Sequence, residues 1–132
     1  MKRLFAAVMF GVLLAAAACS GSGETTSPSG EDAPAQAVVN YLQAKVAGNR
    51  DGVRDLLCSA LESQLDREAL SFSGVNAALE NAACSTGADG TTVTCTGQIA
   101  AVYGLESRTF PLSRYNVVQE DGQWRWCGEA AP

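Results

Sequence analysis

The sequence predicts an α+β domain in which helices pack on one face of an antiparallel sheet, stapled by two disulfides. Three observations predict it. Apolar residues recur at helical spacing through the first half of the chain, and from Thr91 they alternate with polar ones. Helices first and strands afterwards is the order of α+β layering. Five cysteines are present, and four remain for pairing once Cys19 is given a separate role.

That role comes from the N-terminus. Lys2 and Arg3 are followed by an uncharged run from Leu4 to Ala18 with an apolar centre and small residues at its end. Positive, apolar and small segments in that order make a secretory signal peptide. The run of about 15 residues is short of the roughly 20 that span a bilayer as a helix. The ending Ala16-Ala17-Ala18-Cys19 resembles the bacterial lipobox, although Ala16 stands where Leu is commoner. The resemblance implies cleavage before Cys19 and a diacylglyceryl group on its sulfur. Each buried acyl CH₂ contributes about 0.8 kcal/mol, so two or three chains anchor firmly. Residues 20–32 hold no apolar side chain of any size, which makes a flexible tether. The organisation is thus signal peptide 1–18, lipidated Cys and tether 19–33, and one domain over 34–132.

Within the domain, Asp32-Ala33-Pro34 opens a helix, with Asp32 or a neighbour as cap and Pro34 in the first turn. Val38, Val39, Leu42 and Val46 carry its apolar stripe, and Gly48 closes it. Asn49 and Asp51 begin a second helix with Val53, Leu56, Leu57, Ala60 and Leu61 on one face and Cys58 beside it. Leu65, Ala69 and Leu70 continue it or form a short third helix. Val75 and Leu79, four apart, predict a further helix over 73–83, which leaves no strand between Asn40 and Ala83. Val93, Cys95, Gly97 and Ile99 alternate with threonines and Gln98 as a half-buried strand. Residues 106–119 read as a second strand region, in which Pro111 marks an edge or a bulge. Glu120-Asp121-Gly122 is a turn, and residues 123–127 give a last strand with Trp124 and Trp126 on one face.

The domain holds about 100 residues, near the size at which staples help. Removing Lys2 and Arg3 with the leader leaves seven basic against fourteen acidic side chains, a balance of −7. This argues against nucleic acid and against an electrostatic grip on anionic lipid. Cys58, Cys84, Cys95 and Cys127 form an even set for an oxidising compartment. A zinc site is disfavoured, because there is no His and no C-x-x-C pair. Four cysteines allow three connectivities. If Asp89-Gly90 is a two-residue hairpin turn, Cys84 falls opposite Cys95, and Cys58 pairs with Cys127 by exclusion. Against this, Cys84 could instead end the preceding helix.

The helix pair AVVNYLQAKVAGNRDGVRDLLC and the ending NVVQEDGQWRWC together resemble the nuclear-transport-factor-2-like superfamily, over roughly residues 34–128. The resemblance implies N-terminal helices packed into the concave face of a curved antiparallel sheet, a cone. Some members are isomerases or dehydratases with an Asp base and a Tyr or His inside the cone, but no such motif transfers here residue by residue.

Candidate chemistry is sparse. The absence of His excludes His-based triads and His-metal sites. Asp51 and Asp55, and Glu62 and Asp66, are spaced four apart and read as caps and solvated faces rather than acid–base pairs. Tyr41, Tyr103, Trp124 and Trp126 are the candidate ligand or partner contacts, with core packing as the plainer role for each. No cofactor or metal is expected. The expected function is a membrane-anchored, extracytoplasmic binding or accessory module of the cell envelope, touching a small apolar ligand or another envelope protein. The alternative is a cone-fold isomerase or hydratase acting on a small apolar substrate.

Overall fold

Val93, Cys95, Ile99 and Ala101 point to one side of β2 (Thr92–Tyr103) and are buried, while Thr94 and Thr96 on the other side are exposed. β2 is the strand on which the sheet is assembled. The structure, a computed structural model, describes residues 32–132; the signal peptide, Cys19 and all but the end of the tether lie outside the described residues. These residues form three α-helices and an open, five-stranded antiparallel sheet.

β1 (Asn76–Thr86) pairs with one edge of β2, placing Ala77 opposite Ala101 and Leu79 opposite Ile99. This corrects the helix expected over 73–83. The Ala-rich sequence favours helix locally, but Gly74 (φ +76°) turns the chain just before β1, and pairing with β2 buries Ala77 and Leu79 against the core. A bulge at Asn81-Ala82 sits opposite Gly97. Asn81 takes φ +51° and Gly97 φ +104°, and a Cβ on Gly97 would lie 2.6 Å from the carbonyl oxygens of Glu80 and Asn81. Only glycine fits there, and the bulge bends the strand.

The other edge of β2 is shared. β3 (Glu106–Pro111) pairs with its distal half and β4 (Arg114–Glu120) with its first residues. The chain steps between them at Leu112-Ser113, where Leu112 N–H donates to Gly97 O and Cys95 N–H donates to Ser113 O, both at 2.9 Å. Pro111 thus ends an edge strand. β5 (Gln123–Glu129) completes the order β1-β2-β4-β5. Its turn has φ +51° at Asp121 and +76° at Gly122, the type I′ conformation that suits Asp-Gly.

α1 (Ala33–Val46) lies against the sheet and buries Val38, Tyr41 and Leu42. Asp32 stands at its N-cap position without a side-chain bond; the Ala35 N–H is met instead by Thr86 Oγ1 at the end of β1. At its other end, Gly48 N–H donates to Lys45 O and Asn49 N–H to Ala44 O, a Schellman ending. The Asn49 side chain then caps α2 (Arg50–Leu56) by accepting from Gly52 N–H. α2 is shorter than the expected helix. Leu57 turns extended and bridges to Trp126, and Cys58 N–H donates to Trp126 O. A 3₁₀ segment (Ser59–Gln64) and α3 (Leu65–Ala69) follow, so Ala60 and Leu61 lie off α2.

The disulfides join Cys58 to Cys127 and Cys84 to Cys95. Cys84 does face Cys95, but the loop behind them is longer than a two-residue turn. Gly87 N–H donates to Thr92 O, Gly90 takes the positive φ and Asp89 does not.

Two outcomes follow from these constraints. Gly97→Ala should lower stability by about 2–3 kcal/mol, against about 1 kcal/mol for Gly90→Ala, whose Cβ would meet nothing. The midpoints of urea unfolding measure the difference; equal costs would contradict the tight approach at Gly97. Removing Cys58–Cys127, which closes a separation of 69 residues, should cost about 4 kcal/mol, and removing Cys84–Cys95, with a separation of 11, about 3 kcal/mol. Non-reducing peptide maps should contain only those two linkages, and a Cys58–Cys84 peptide would contradict the fold.

Candidate functional site

Leu65, Glu68 and Ala69 share one face of α3, because residues three and four apart on a helix are neighbours. Leu65 and Ala69 are buried, and Glu68 is carried inward with them to 7% exposure, making it the only buried charged residue among those described. Tyr41 and Lys45, four apart on α1, face it. Tyr41 Oη donates to Glu68 Oε2 at 2.7 Å and Lys45 Nζ donates to the same oxygen at 2.6 Å. Arg67 approaches Oε1 at 3.6 Å. The Trp126 ring lies under Tyr41, with centroids 4.2 Å apart and planes 7° from parallel. Lys45 Nζ is 5.9 Å from both ring centres. Trp126 Nε1 is buried without an acceptor.

Lys45, Glu68 and Trp126 of this cluster line a cleft of about 490 Å³, together with Gln64, Arg67 and Glu129, while Tyr41 lies buried behind them. Burial pushes the Glu68 carboxyl up. The hydrogen bonds from Lys45 and Tyr41, with the charges of Lys45 and Arg67, outweigh burial and hold the group below its ordinary value. Burial pushes the Tyr41 phenol up, and the bond to Glu68 and its charge push further in the same direction. Glu68 is therefore ionised and Tyr41 protonated over the whole neutral range. An acid or base works best with a pKa near the working pH, and both groups are driven away from it. The arrangement orients and neutralises charge.

The four candidate aromatics are not brought together. Tyr41 and Trp126 are core residues, stacked on each other. Trp124 is half-buried in a second cleft of about 700 Å³ between the start of α1 and the β1–β2 loop. Hydrogen bonds from the Thr92 hydroxyl and the Thr91 and Thr92 amides occupy the Asp89 carboxylate there and lower its pKa. Tyr103 is at the far end of β2, exposed beneath the Arg108 guanidinium at 5.6 Å. A third cleft of about 180 Å³, beside Cys58, holds Arg125 and Glu120, whose carboxylate accepts from Ser59 N–H and Oγ. Among the described residues no group of three or more Cys, Asp or Glu is placed to hold a metal ion.

Lys45, Arg67 and Glu68 were not singled out from the sequence. The one available signal was the spacing of Glu68 from Leu65 and Ala69, which sets a carboxylate inside an apolar stripe. Comparison with protein families, known proteins and solved structures finds no match to the chain.

Replacing Glu68 with Gln leaves Lys45 without a counter-charge and should cost about 2–3 kcal/mol at neutral pH. Because the native pKa is lowered, this stabilisation is complete above the ordinary value of 4.5 and is lost as pH falls through the native value. The gap in stability between wild type and Glu68→Gln should close in acid; a gap unchanged down to the acid limit of folding would contradict an ionised Glu68. Trp126→Ala should cost about 3–5 kcal/mol and Tyr103→Ala under about 1 kcal/mol, measured by thermal unfolding. Equal losses would contradict their separation into core and surface.

Proposed function

We propose that the chain is exported, held at a cell-envelope membrane by acyl chains on Cys19, and acts there by contact rather than turnover. The leader, the small-residue run before Cys19 and the apolar-free stretch after it support export and lipidation. The two disulfides fit an oxidising, non-cytoplasmic compartment. No helix among the described residues is long and apolar enough to cross a membrane. We read the helical layer over a sheet bent by bulges as the cone of the nuclear-transport-factor-2-like superfamily, with α1 and the Tyr41–Trp126 stack filling its concave face.

One observation carries the contact reading. The β2–β3 hairpin leaves Val102, Tyr103, Leu105 and Phe110 exposed, and every residue of β3 is exposed. Tyr103 and Phe110 lie on the face of Ile99 and Ala101, with Val102 on the other face and Leu105 in the turn. A hairpin that exposes large apolar side chains in this way beside a packed core suits a surface that meets another protein. The isomerase or hydratase alternative needs a group poised to move a proton, and the buried carboxylate is committed to Lys45 and Tyr41.

Cys19→Ser should move the protein from the membrane to the soluble fraction with its circular dichroism unchanged. Mass spectrometry showing an unmodified Cys19 at the mature N-terminus in membranes would overturn the anchor. In cross-linked cells, Tyr103→Ser with Phe110→Ser should abolish the wild-type adducts while the domain stays folded. Turnover of a small carbonyl or epoxide, abolished by Tyr41→Phe or Glu68→Gln in a folded protein, would overturn the contact reading.

A further inference from the structure

The outer edge of β3 has a defined pattern of free backbone groups. β3 pairs with β2 alone. The bond from Leu112 N–H to Gly97 O sets the phase of the ladder. Counting back through the pairs Ile99–Phe110, Ala101–Arg108 and Tyr103–Glu106, the alternation of antiparallel bonding turns Phe110, Arg108 and Glu106 toward β2. The N–H and C=O groups of Ser107 and Thr109 then point outward. Pro111 falls on the outward row and offers only its carbonyl. The side chains of Glu106, Arg108 and Phe110 lie on the same face as the inward residues of β2, where Phe110 meets Phe72 edge-on at 5.8 Å.

We propose that β3 pairs antiparallel with β3 of a second copy of this chain, about a two-fold axis through Ser107, extending two sheets into one. The proposal rests on reading the β2–β3 hairpin as a contact surface, and names its partner. Charge complementarity along the edge selects the register. An axis through Glu106 sets Glu106 against Glu106 of the second copy, and one through Arg108 sets Arg108 against Arg108. Like charges directly opposite are destabilising. An axis through Thr109 sets Pro111, which has no N–H, against Ser107 and loses ladder bonds. Only the axis through Ser107 places Glu106 opposite Arg108 of the second copy, and does so twice. It also makes the two Ser107 residues exchange a pair of backbone bonds. Glu106 and Arg108 already attract within one chain at 3.1 Å, so the four charges would alternate in sign. An isologous pairing of this kind closes on itself and covers the edge around Ser107, with Thr109 set against Leu105 of the second copy's turn.

The test is a cysteine cross-link in the full chain, in membranes. In the proposed register the Ser107 Cα atoms are about 5.5 Å apart, within disulfide reach. The Thr109 residues are offset by four positions, about 13 Å along the strand. Ser107→Cys should therefore give a species of twice the monomer mass under mild oxidation, and Thr109→Cys should not. Adding Arg108→Glu should reduce the Ser107→Cys product several-fold, and adding Glu106→Arg to that variant should restore it. Both sites are exposed, so folding is checked by circular dichroism. A Ser107→Cys chain that stays monomeric overturns the pairing, as does cross-linking at Thr109 in its place. A Ser107→Cys product with a different protein also overturns self-pairing, yet leaves the contact reading standing, so the two failures are told apart.

Discussion

Two adjacent residues of β5, Trp126 and Cys127, tie the helical layer to the sheet. The Trp126 ring is the surface on which Tyr41 of α1 stacks. Its carbonyl accepts the Cys58 N–H, and Leu57 bridges to it from the end of α2. The next residue, Cys127, is bonded covalently to Cys58. Aromatic packing, a backbone bond and a disulfide thus converge on one point of the last strand. A domain of this size has little core to spare, and a long-range link of this kind removes much of the freedom of the unfolded chain.

The junction explains several features that local sequence does not. α2 stops after seven residues because the chain must become extended at Leu57 to reach β5. The turn back through the 3₁₀ segment brings α3 beside α1, and Glu68 onto Tyr41 and Lys45. Glu68 is thereby buried in a place where its charge must be matched, and the donors that match it hold it ionised. The same strand bends at Gly128 (φ +97°), beside the disulfide. The core is closed around this point, and the parts of the molecule left available are the clefts at its rim and the β2–β3 hairpin at the far end of the sheet.

Much of the fold was legible wherever a local pattern and the tertiary environment agree. Pro34, the Val38–Leu42 stripe and Gly48 bound α1 as a helix because burial of that stripe is also what the sheet requires. The alternation in β2 and the Asp121-Gly122 turn are local signals that the sheet satisfies directly. The 73–83 segment failed because Val75 and Leu79 imitate helical spacing in an Ala-rich stretch, whereas Leu79 serves as the partner of Ile99. The hairpin reading of Cys84 and Cys95 would have required a strand there, but a helix ending at Cys84 could also bring the two cysteines together through a short loop, so the pair did not decide the segment. Trp126 was visible as a residue of the last strand, but its partner Tyr41 is 85 positions away in sequence, a separation no periodicity reports. Glu68 was the least legible of all. Its role depends on Lys45 and Tyr41 arriving from another helix, and a single carboxylate in a short helix reads as solvated until that packing is known.

If the Trp126–Cys127 junction is what holds the two layers together, its amides should open only when the whole domain unfolds. Native-state hydrogen exchange at the Cys58 amide, which is bonded to Trp126 O across the layers, tests this most directly. The expected result is an opening free energy equal to that of global unfolding and the same dependence on denaturant. Exchange of the Cys58 amide through a local opening well below the global value would show that the helical layer detaches by itself, and would contradict the junction as the point on which the fold depends.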